Sequence, residues 1–239
     1  MKFKTRVHEG VFLKRYKRFF ADVQLGSEMV VAHVANTGSL KAASEPNAPC
    51  WISEAENPER KLRYSLEAIK LSSSWVGVNT SWPNQLAKEA FVNRVFKHWH
   101  DFDQLQAEVK INPESRLDLL LVNSKSLKRH YVEIKNTTLA DGDFQQRKGR
   151  AQFPDSVTVR GQKHLRELMK LLDDGHRAEI IFTVQRQDCH EFSPADEIDP
   201  EYGTLLRQAI KKGVIATAAV VEMSPTEIFL SGKTLPIIL

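Results

Sequence analysis

The segment SRLDLLLVNSKSLKRHYVEIKNTTL, Ser115–Leu139, decides how the second half of this chain folds. Two apolar runs, RLDLLLV and HYVEIKN, flank a polar and basic stretch, the pattern of two strands joined by a turn. Three charged residues interrupt these runs where Leu or Val would pack better: Asp118 near the start of the first run, and Glu133 and Lys135 near the end of the second.

The side chains of a strand alternate between its two faces. Glu133 and Lys135 therefore share one face, while Val132 and Ile134 pack on the other. If the two runs pair as a hairpin, Asp118 lies near Glu133. The sequence then predicts that two carboxylates and one amine converge at one place on a sheet.

Two carboxylates at close range repel each other and favour a cation between them. Oxygen ligands select a hard cation such as Mg²⁺ or Mn²⁺, held here by Asp118 and Glu133. Such a metal activates water and stabilises charge on a phosphoryl oxygen, and Lys135 beside it orients the water or neutralises the phosphate, which is the chemistry of phosphodiester cleavage. In the alternative, Glu133 and Lys135 face water, and Asp118 pairs with Arg116 or Arg129.

The flanking sequence predicts an α/β domain over residues 83–239. The segment SWPNQLAKEAFVNRVFKHW is amphipathic with Pro83 at its first turn, and further helices are predicted at about residues 160–172 and before Gly213. The predicted order is α-β-β-β-α-β-α-β-β, a mixed sheet flanked by helices. The segment ADGDFQQRKGRAQFPDS is predicted to be a loop that either contacts a phosphate backbone or has no role.

Residues 1–82 are predicted to be rich in β-structure, with VFLKRYKRFFADVQL as one strand and several short strands after it. A five-stranded OB barrel suits this length. The expected fold class is therefore α+β, with an N-terminal OB-fold barrel and then a mixed-sheet α/β domain. We expect the boundary near residue 82.

The composition excludes some classes of protein. Cys50 and Cys189 are the only cysteines, which excludes a disulfide framework and a cysteine-rich zinc site and suits a reducing cytoplasm. No apolar run approaches the roughly 18 residues that a membrane span needs. The N-terminal segment MKFKTRVHEG is not followed by the apolar stretch of a secretory signal. The expected location is the cytoplasm, with no membrane partner.

The positive charge lies at one end of the chain. Residues 1–82 hold 12 Lys and Arg against 8 Asp and Glu, whereas residues 83–239 hold 22 of each, so the whole net charge of +4 lies in the first third. This asymmetry favours a polyanion-binding end, or a basic strand that only keeps the protein in solution.

The stretch LKRYKRFF interleaves cations with aromatic side chains, as OB folds do where they bind nucleic acid. The candidate nucleic-acid-binding residues are Lys14, Arg15, Tyr16, Lys17 and Arg18. In the alternative, Tyr16 belongs to the core with its aromatic neighbours, and only the cations are exposed.

The helix after the hairpin begins with VRGQKHLREL. A helix N-terminus offers free N–H groups and partial positive charge to a phosphate, so Arg160 and Lys163 are added to the nucleic-acid-binding candidates. Gln162 is a candidate beside the hairpin site. His164 is either a further polar residue here or a packing residue.

A helix with Glu89, a hairpin with Asp118 and then Glu-x-Lys, a helix and a strand resemble the restriction-endonuclease-like, or PD-(D/E)xK, nuclease core. From about residue 13 onward, the chain also resembles the sugar fermentation stimulation protein A family. Seven blocks carry this resemblance: RYKRFFADV, NTGSL, VNTSWPNQL, SRLDLLL, YVEIKNTTLA, FPDSVTVRGQKHLREL and FSPADEIDPEY.

The resemblance implies an OB-fold domain, a PD-(D/E)xK domain, DNA binding, and a link to the expression of sugar-catabolism genes. It implies catalytic roles for Asp118, Glu133 and Lys135, with Glu89 as the helix acid and Gln162 beside them. Leu117 replaces the proline of the superfamily's name, and the basic loop after the hairpin is longer than expected.

Two functions follow. The first is a Mg²⁺- or Mn²⁺-dependent nuclease with an OB-fold targeting domain. The second is a non-enzymatic DNA-binding regulator whose nuclease-like core is residual. The chain has no helix-turn-helix or zinc-finger signature for base readout, so DNA is expected to be bound without strong sequence specificity. The sequence does not indicate an oligomeric state.

Overall fold

The computed structural model describes residues 1–36, 38, 40, 43–72, 74–146 and 148–239. Two residues of the predicted loop NTGSL, Thr37 and Ser39, lie outside the described residues. Arg147 of the predicted basic loop also lies outside them.

The N-terminal strands form a closed barrel. Their bounds are β1 Val7–Tyr16, β2 Phe20–Leu25, β3 Glu28–His33, β4 Pro49–Glu54, β5 Tyr64–Leu71 and β6 Ser74–Gly77. They pair in the order β3-β2-β1-β4-β5-β6, and a short parallel pairing of β3 with β5 closes β1–β5 into a ring. This is the OB-like barrel that the short strands predicted.

The barrel interior is apolar because alternate residues of each strand point inward. Ala32, Ile52 and Leu66 belong to this core, whereas the neighbouring polar residues His33 and Ser53 point to the outer wall.

The prediction of one strand from Val11 to Leu25 is wrong. The chain turns at Lys17 and Arg18, which adopt left-handed φ angles of 45° and 65°, and Tyr16 pairs with Phe20 across the turn. The segment is therefore a β-hairpin with two exposed cations, Lys17 and Arg18, at its tip. Neither turn residue is a glycine, so this segment lacks the residue types that usually mark a hairpin turn.

The second half is built on a central sheet in the order β15-β14-β12-β9-β8-β7. β9, β12 and β14 are parallel, and the remaining pairings are antiparallel. The bounds are α1 Trp82–Val92, β7 Gln104–Asn112, β8 Ser115–Val122, β9 Arg129–Thr137, β10 Ala140–Asp143, β11 Lys148–Phe153, α2 Val159–Asp173, β12 Arg177–Val184, β13 Cys189–Pro194, α3 Pro200–Lys212, β14 Ile215–Met223 and β15 Ile228–Leu235.

Helices cover both faces of this sheet. α1 packs on one face around Val132 and Ile181, and α2 and α3 pack on the other around Tyr131 and Ile180. The predicted mixed sheet flanked by helices is confirmed.

Two details differ from the sequence prediction. The segment predicted as a basic loop forms β10 and β11, which join β13 in a separate three-stranded sheet. The first helix ends at Val92 rather than continuing to Trp99, because Arg94 adopts a left-handed φ of 54° that a helix cannot accommodate.

The ends of α2 and α3 follow ordinary capping rules. Thr158 caps α2, and Asp199 caps α3 by accepting from the Tyr202 N–H. Gly213 ends α3 with a φ of 114°, a conformation that glycine adopts without strain. No helix in the described part of the chain is long and apolar enough to cross a membrane.

Candidate metal-dependent nuclease site

The β8–β9 hairpin brings the charged residues together. Leu119 pairs with Val132, so one further step of this antiparallel register places Asp118 opposite Glu133. The Asp118 carboxylate also accepts a hydrogen bond of 2.7 Å from the backbone N–H of Ile134. The sequence prediction placed Asp118 near Glu133 in this way.

Lys135 and Glu133 share a face, as strand alternation predicts. The Lys135 Nζ lies 2.6 Å from Glu133 Oε1, and their side chains are 12% and 4% exposed. His164 of α2 adds a third group, because its Nδ1 contacts the same Glu133 oxygen and lies 3.4 Å from Lys135 Nζ. The hairpin therefore carries a buried charge cluster rather than a solvent-exposed pair.

Asp118 is held from two sides. Asn84 of α1 donates to its Oδ1 at 2.8 Å, and the Ile134 N–H donates to its Oδ2. Burial, and then the charge of Glu133, raise the pKa of Asp118 to about 6. The structure gives Asp118 neither of the arginine partners, Arg116 or Arg129, that the alternative interpretation required.

Glu133 has one satisfied oxygen and one unsatisfied oxygen. Burial by itself raises its pKa, but the Lys135 ammonium and His164 outweigh burial and leave the pKa below its usual range. Its Oε2 is buried and has no hydrogen-bond partner among the residues that the structure describes. The Tyr202 hydroxyl is also buried and has no partner in the described ranges, and burial followed by the nearby Glu133 charge raises its pKa. An orphaned carboxylate oxygen in a buried site is costly unless a ligand completes it.

The donor set fits a divalent cation. A cation near Asp118 and Glu133 would offset their repulsion, which contributes to the raised pKa of Asp118. It would also give the free Glu133 oxygen a partner. The carboxylate oxygens of Asp118 and Glu133 are hard ligands of the kind that Mg²⁺ and Mn²⁺ prefer.

The structure does not bring Glu89 to this cluster. The Glu89 carboxylate forms an ion pair with the Met1 amine, which also donates to the Ile228 carbonyl of β15. Asn84 is the α1 residue that contacts Asp118. Glu89 lies five positions after Asn84, which places their side chains about 140° apart around the helix.

Gln162 is also engaged away from the carboxylates. Its side-chain amide donates to both oxygens of Asp199, at 2.9 and 3.2 Å. Asp199 caps α3 and also accepts from the Thr158 N–H. The described contacts therefore give Gln162 the role of joining the N-termini of α2 and α3.

Arg160 and Lys163 line a cleft of about 650 Å³ that reaches His164. Lys163 forms ion pairs with two glutamates, at 3.2 and 4.0 Å. Arg160 and Arg116, which also lines this cleft, have no ion-pair partner among the described residues. The cleft thus presents available cations next to the carboxylate cluster.

The five candidates near the β1–β2 turn differ from one another. Lys14 lies 3.5 Å from an Asp22 oxygen, and Tyr16 stacks on Phe20. The Arg15 guanidinium donates to the backbone carbonyls of Asn36, Gly38 and Arg18, so Arg15 fastens the turn to the following loop.

Lys17 and Arg18 occupy the exposed tip of this turn. Neither forms an ion pair with another described residue. Of the candidates near this turn, these two have the side chains most available to a phosphate.

Sequence reasoning missed Asn84 and left His164 unassigned. Asn84 lies in the motif VNTSWPNQL but is a neutral residue on a helix, and its contact with Asp118 spans 34 positions. His164 lies three positions into the segment QKHLREL of α2. A polar residue on the buried face of an amphipathic helix was the available signal.

The chain has a five-stranded barrel, and a mixed sheet with a charged hairpin follows it. These two parts define a class of protein in which an OB barrel is joined to a restriction-endonuclease-like domain. Comparison with known families agrees. Residues 13–78 match the model described as the SfsA N-terminal OB domain, and residues 81–227 match the sugar fermentation stimulation protein RE domain. The chain therefore belongs to the sugar fermentation stimulation protein family.

Individual relatives support this assignment. The chain is 51% identical to the sugar fermentation stimulation protein homolog of Bdellovibrio bacteriovorus over 99% of both chains, and 46% identical to that of Geotalea daltonii over 96% of both. It is also similar to the solved structure of Pyrococcus furiosus SfsA in complex with Ca²⁺. The TM-score is 0.85 and the identity is 27%, over 100% of this chain and 98% of that one.

Proposed function

We propose that this protein binds nucleic acid and hydrolyses phosphodiester bonds with a divalent cation held by Asp118 and Glu133. The observation that carries the proposal is the buried cluster of these carboxylates with Lys135, in which Glu133 Oε2 has no hydrogen-bond partner within the described part of the chain. The Ca²⁺ complex of the Pyrococcus furiosus relative supports a divalent cation in a protein of the same fold.

A bound Mg²⁺ or Mn²⁺ supplies two effects: it lowers the pKa of a bound water, and it neutralises charge on a phosphoryl oxygen. No three His, Cys, Asp or Glu side chains are arranged as metal ligands within the described ranges. The proposal therefore has two carboxylates as the acidic protein ligands, with waters and substrate oxygens as the others, as is common for Mg²⁺.

The other residues of the cluster have distinct roles in this proposal. Lys135 Nζ neutralises charge that develops on the phosphate, and its bond to Glu133 keeps it in position. His164 contacts the same Glu133 oxygen as Lys135 and so helps to hold the Glu133 carboxylate in position. Asn84 and the Ile134 N–H orient Asp118.

The cleft lined by Arg116, Arg160 and Lys163 leads the substrate backbone to this cluster in the proposal. Lys17 and Arg18 at the barrel turn supply further phosphate contacts. The residues up to about 82 then act as a binding domain, and the remainder as the cleaving domain. DNA is the proposed substrate, bound through its backbone without strong sequence specificity, so affinity falls steeply with salt.

The test is cleavage of end-labelled single- and double-stranded DNA and RNA with Mg²⁺ or Mn²⁺. We expect wild-type protein to cleave at least one substrate, and Asp118→Ala and Lys135→Ala each to lower the rate by about 10³-fold, the scale of losing one electrostatic group of a catalytic site. Binding of the same substrates is measured in parallel and is expected to persist in both variants.

Matched controls are Asp101→Ala and Lys125→Ala, which remove the same charges from exposed positions. They should cleave as the wild type does. Absence of cleavage by the wild type on all four substrates, with binding intact, would contradict the nuclease proposal and favour a DNA-associated regulator.

A further inference from the structure

A second and larger cleft lies on the outer wall of the barrel. Its volume is about 780 Å³, and its walls are the N-terminal residues 1–5, strands β4 and β5, and the first turn of α1. Trp82 and Gln85 of α1 line this barrel cleft, whereas Asn84 between them contacts Asp118. The barrel cleft and the carboxylate cluster therefore lie on different sides of the same helical turn.

Aromatic side chains form one wall of the barrel cleft. The Trp82 indole N–H donates to a Glu67 oxygen at 2.7 Å, which fixes the orientation of its ring. The Phe3 ring meets Trp82 edge to face, with 5.9 Å between centroids. Phe3, Phe20, His33 and Trp82 all line the cleft and are only half-buried. Ring surface is thus available to a planar ligand.

The floor of the barrel cleft is polar and fixed. Glu67 is 4% exposed and also accepts from Ser53 Oγ at 2.6 Å and from Asn79 Nδ2 at 2.8 Å. Burial raises the pKa of Glu67. Since Oε1 receives only the Ser53 bond among these three donors, it retains a lone pair for a further donor.

The rim carries cations. Lys4 pairs with Glu56 at 3.2 Å, but the other three cationic side chains of the rim, Lys2, Arg60 and Lys61, have no ion-pair partner among the described residues. Arg60 also donates to Ser65 Oγ at 2.9 Å. Rings, a fixed polar floor and cations without ion-pair partners in one cleft match the three parts of a nucleotide: a planar base, polar base edges and a phosphate.

We propose that the barrel cleft binds one unpaired nucleotide of a nucleic-acid strand, with its base on the Phe3–Trp82 wall and its phosphate at Lys2, Arg60 and Lys61. The inference deepens the proposed nuclease function and rests on it, because the strand that occupies this cleft is the one presented to the carboxylate cluster. A fully paired duplex cannot place a base there, so the inference makes a single-stranded segment part of the preferred substrate.

The experiment uses the whole protein in EDTA, so that cleavage does not occur. Three probes carry the fluorescent base 2-aminopurine: a single-stranded oligonucleotide, the same strand in a duplex, and the mononucleotide. We expect saturable quenching of the single strand, the duplex to bind at least fivefold more weakly to this site, and the mononucleotide to bind more weakly still. Stacking of one base accounts for effects of this size.

Phe3→Leu keeps an apolar side chain but removes the ring, and is expected to weaken single-strand binding about fivefold or more. Phe19→Leu is its control, because Phe19 is 40% exposed at the barrel turn and does not line the cleft. Lys61→Glu, on an exposed residue whose change does not threaten folding, is expected to weaken binding more than Lys125→Glu does.

Equal effects of the cleft variants and their controls would overturn the inference. A mononucleotide that binds as tightly as the strand would overturn the assignment to a strand. Because binding is read in EDTA, a failure of the nuclease proposal appears separately, as absent cleavage with metal while the quenching and its loss in Phe3→Leu remain.

Discussion

Glu133 and Glu179 are two buried glutamates on neighbouring strands of the same sheet, and each is in contact with histidine. β9 pairs with β12 so that Glu179 lies opposite Val132, one position from Glu133. Their side chains point to opposite faces, Glu133 toward α2 and Glu179 toward the segment that carries Trp99.

The two carboxylates differ in how completely they are satisfied. Both oxygens of Glu179 have partners, and these are Trp99 at 2.8 Å, Thr217 at 2.7 Å, His98 at 3.1 Å and His130 at 3.0 Å. Burial alone would raise its pKa, yet His130 and His98 bring the pKa of Glu179 down to about 2. Glu133, in contrast, keeps one buried oxygen that no described residue contacts by a hydrogen bond, and it faces a second carboxylate.

We infer that the difference separates a carboxylate that holds the fold together from one that, under the proposed function, binds a cation. A buried charge contributes to stability when every lone pair is used, and its removal then leaves its partners unpaired. A buried charge with an open oxygen and a like-charged neighbour stabilises the free protein less, because part of its favourable contact energy is offset by the repulsion, and a cation bound between the two carboxylates would remove that repulsion.

The largest expected effect is on stability. We expect Glu179→Gln to lower the free energy of unfolding by about 3 kcal/mol, the scale of breaking a buried ion pair. Glu133→Gln should lower it by less, about 1 kcal/mol, because the loss of repulsion with Asp118 offsets part of the loss of the Lys135 and His164 contacts. Urea unfolding at pH 7 measures both. Equal destabilisation by the two variants would contradict the conclusion that Glu179 stabilises the fold more than Glu133 does.

The cost of Glu179→Gln should also depend on pH. The pKa of Glu179 is lower in the folded protein, about 2, than its ordinary value of 4.5. A carboxylate with a lowered pKa stabilises the fold above its unfolded-state pKa, and this contribution is lost as pH falls through the folded-state pKa. The difference in the free energy of unfolding between wild type and Glu179→Gln should therefore be largest at pH 7 and should shrink between pH 4.5 and 2. An unchanged difference at pH 3 would argue against a charged Glu179.

The environment of Glu133 could be predicted from the sequence. Period-two alternation put Glu133 and Lys135 on one face, and the hairpin register put Asp118 near them, because both rules act over short distances along the chain. The contacts of Asn84 and His164 depend on where helices dock on the sheet, which no local pattern specifies.

The Glu179 network was not predicted at all. Its residues lie in the segments FKHWH, HYVEIKN, AEIIFTVQR and VIATAAVVEM, of which the first contributes two polar groups and each of the others one. The small β10–β11–β13 sheet was missed for a related reason, since its glycines and charged residues are those of a loop. In both cases, contacts between distant segments decide the structure.

The next effect concerns the cation. A ligand that binds only the folded protein at about 100 times its dissociation constant stabilises the fold by about 2.7 kcal/mol. We expect Mg²⁺ or Mn²⁺ to raise the thermal midpoint of the wild type and of Glu179→Gln by this mechanism, and not that of Asp118→Asn. Differential scanning calorimetry across a cation titration measures it. A full shift in Asp118→Asn would place the cation elsewhere.

The smallest expected effects come from removing one neutral hydrogen-bond donor at Glu179 and one at Asp118. Thr217 donates to Glu179 at 2.7 Å, and Asn84 donates to Asp118 at 2.8 Å. Thr217→Val keeps the shape but leaves a buried charge short of one bond, so it should cost about 1.5 kcal/mol of stability. Asn84→Ala should cost less stability, because Asp118 retains the hydrogen bond from the Ile134 N–H. It should weaken cation affinity about tenfold, as loss of a group that orients a metal ligand does.

Calorimetric titration of the cation and urea unfolding of both variants separate the two responses. Loss of the Thr217 donor at Glu179 should act on folding, and loss of the Asn84 donor at Asp118 should act on cation binding. The reverse pattern would mean that Asp118, too, is a structural carboxylate.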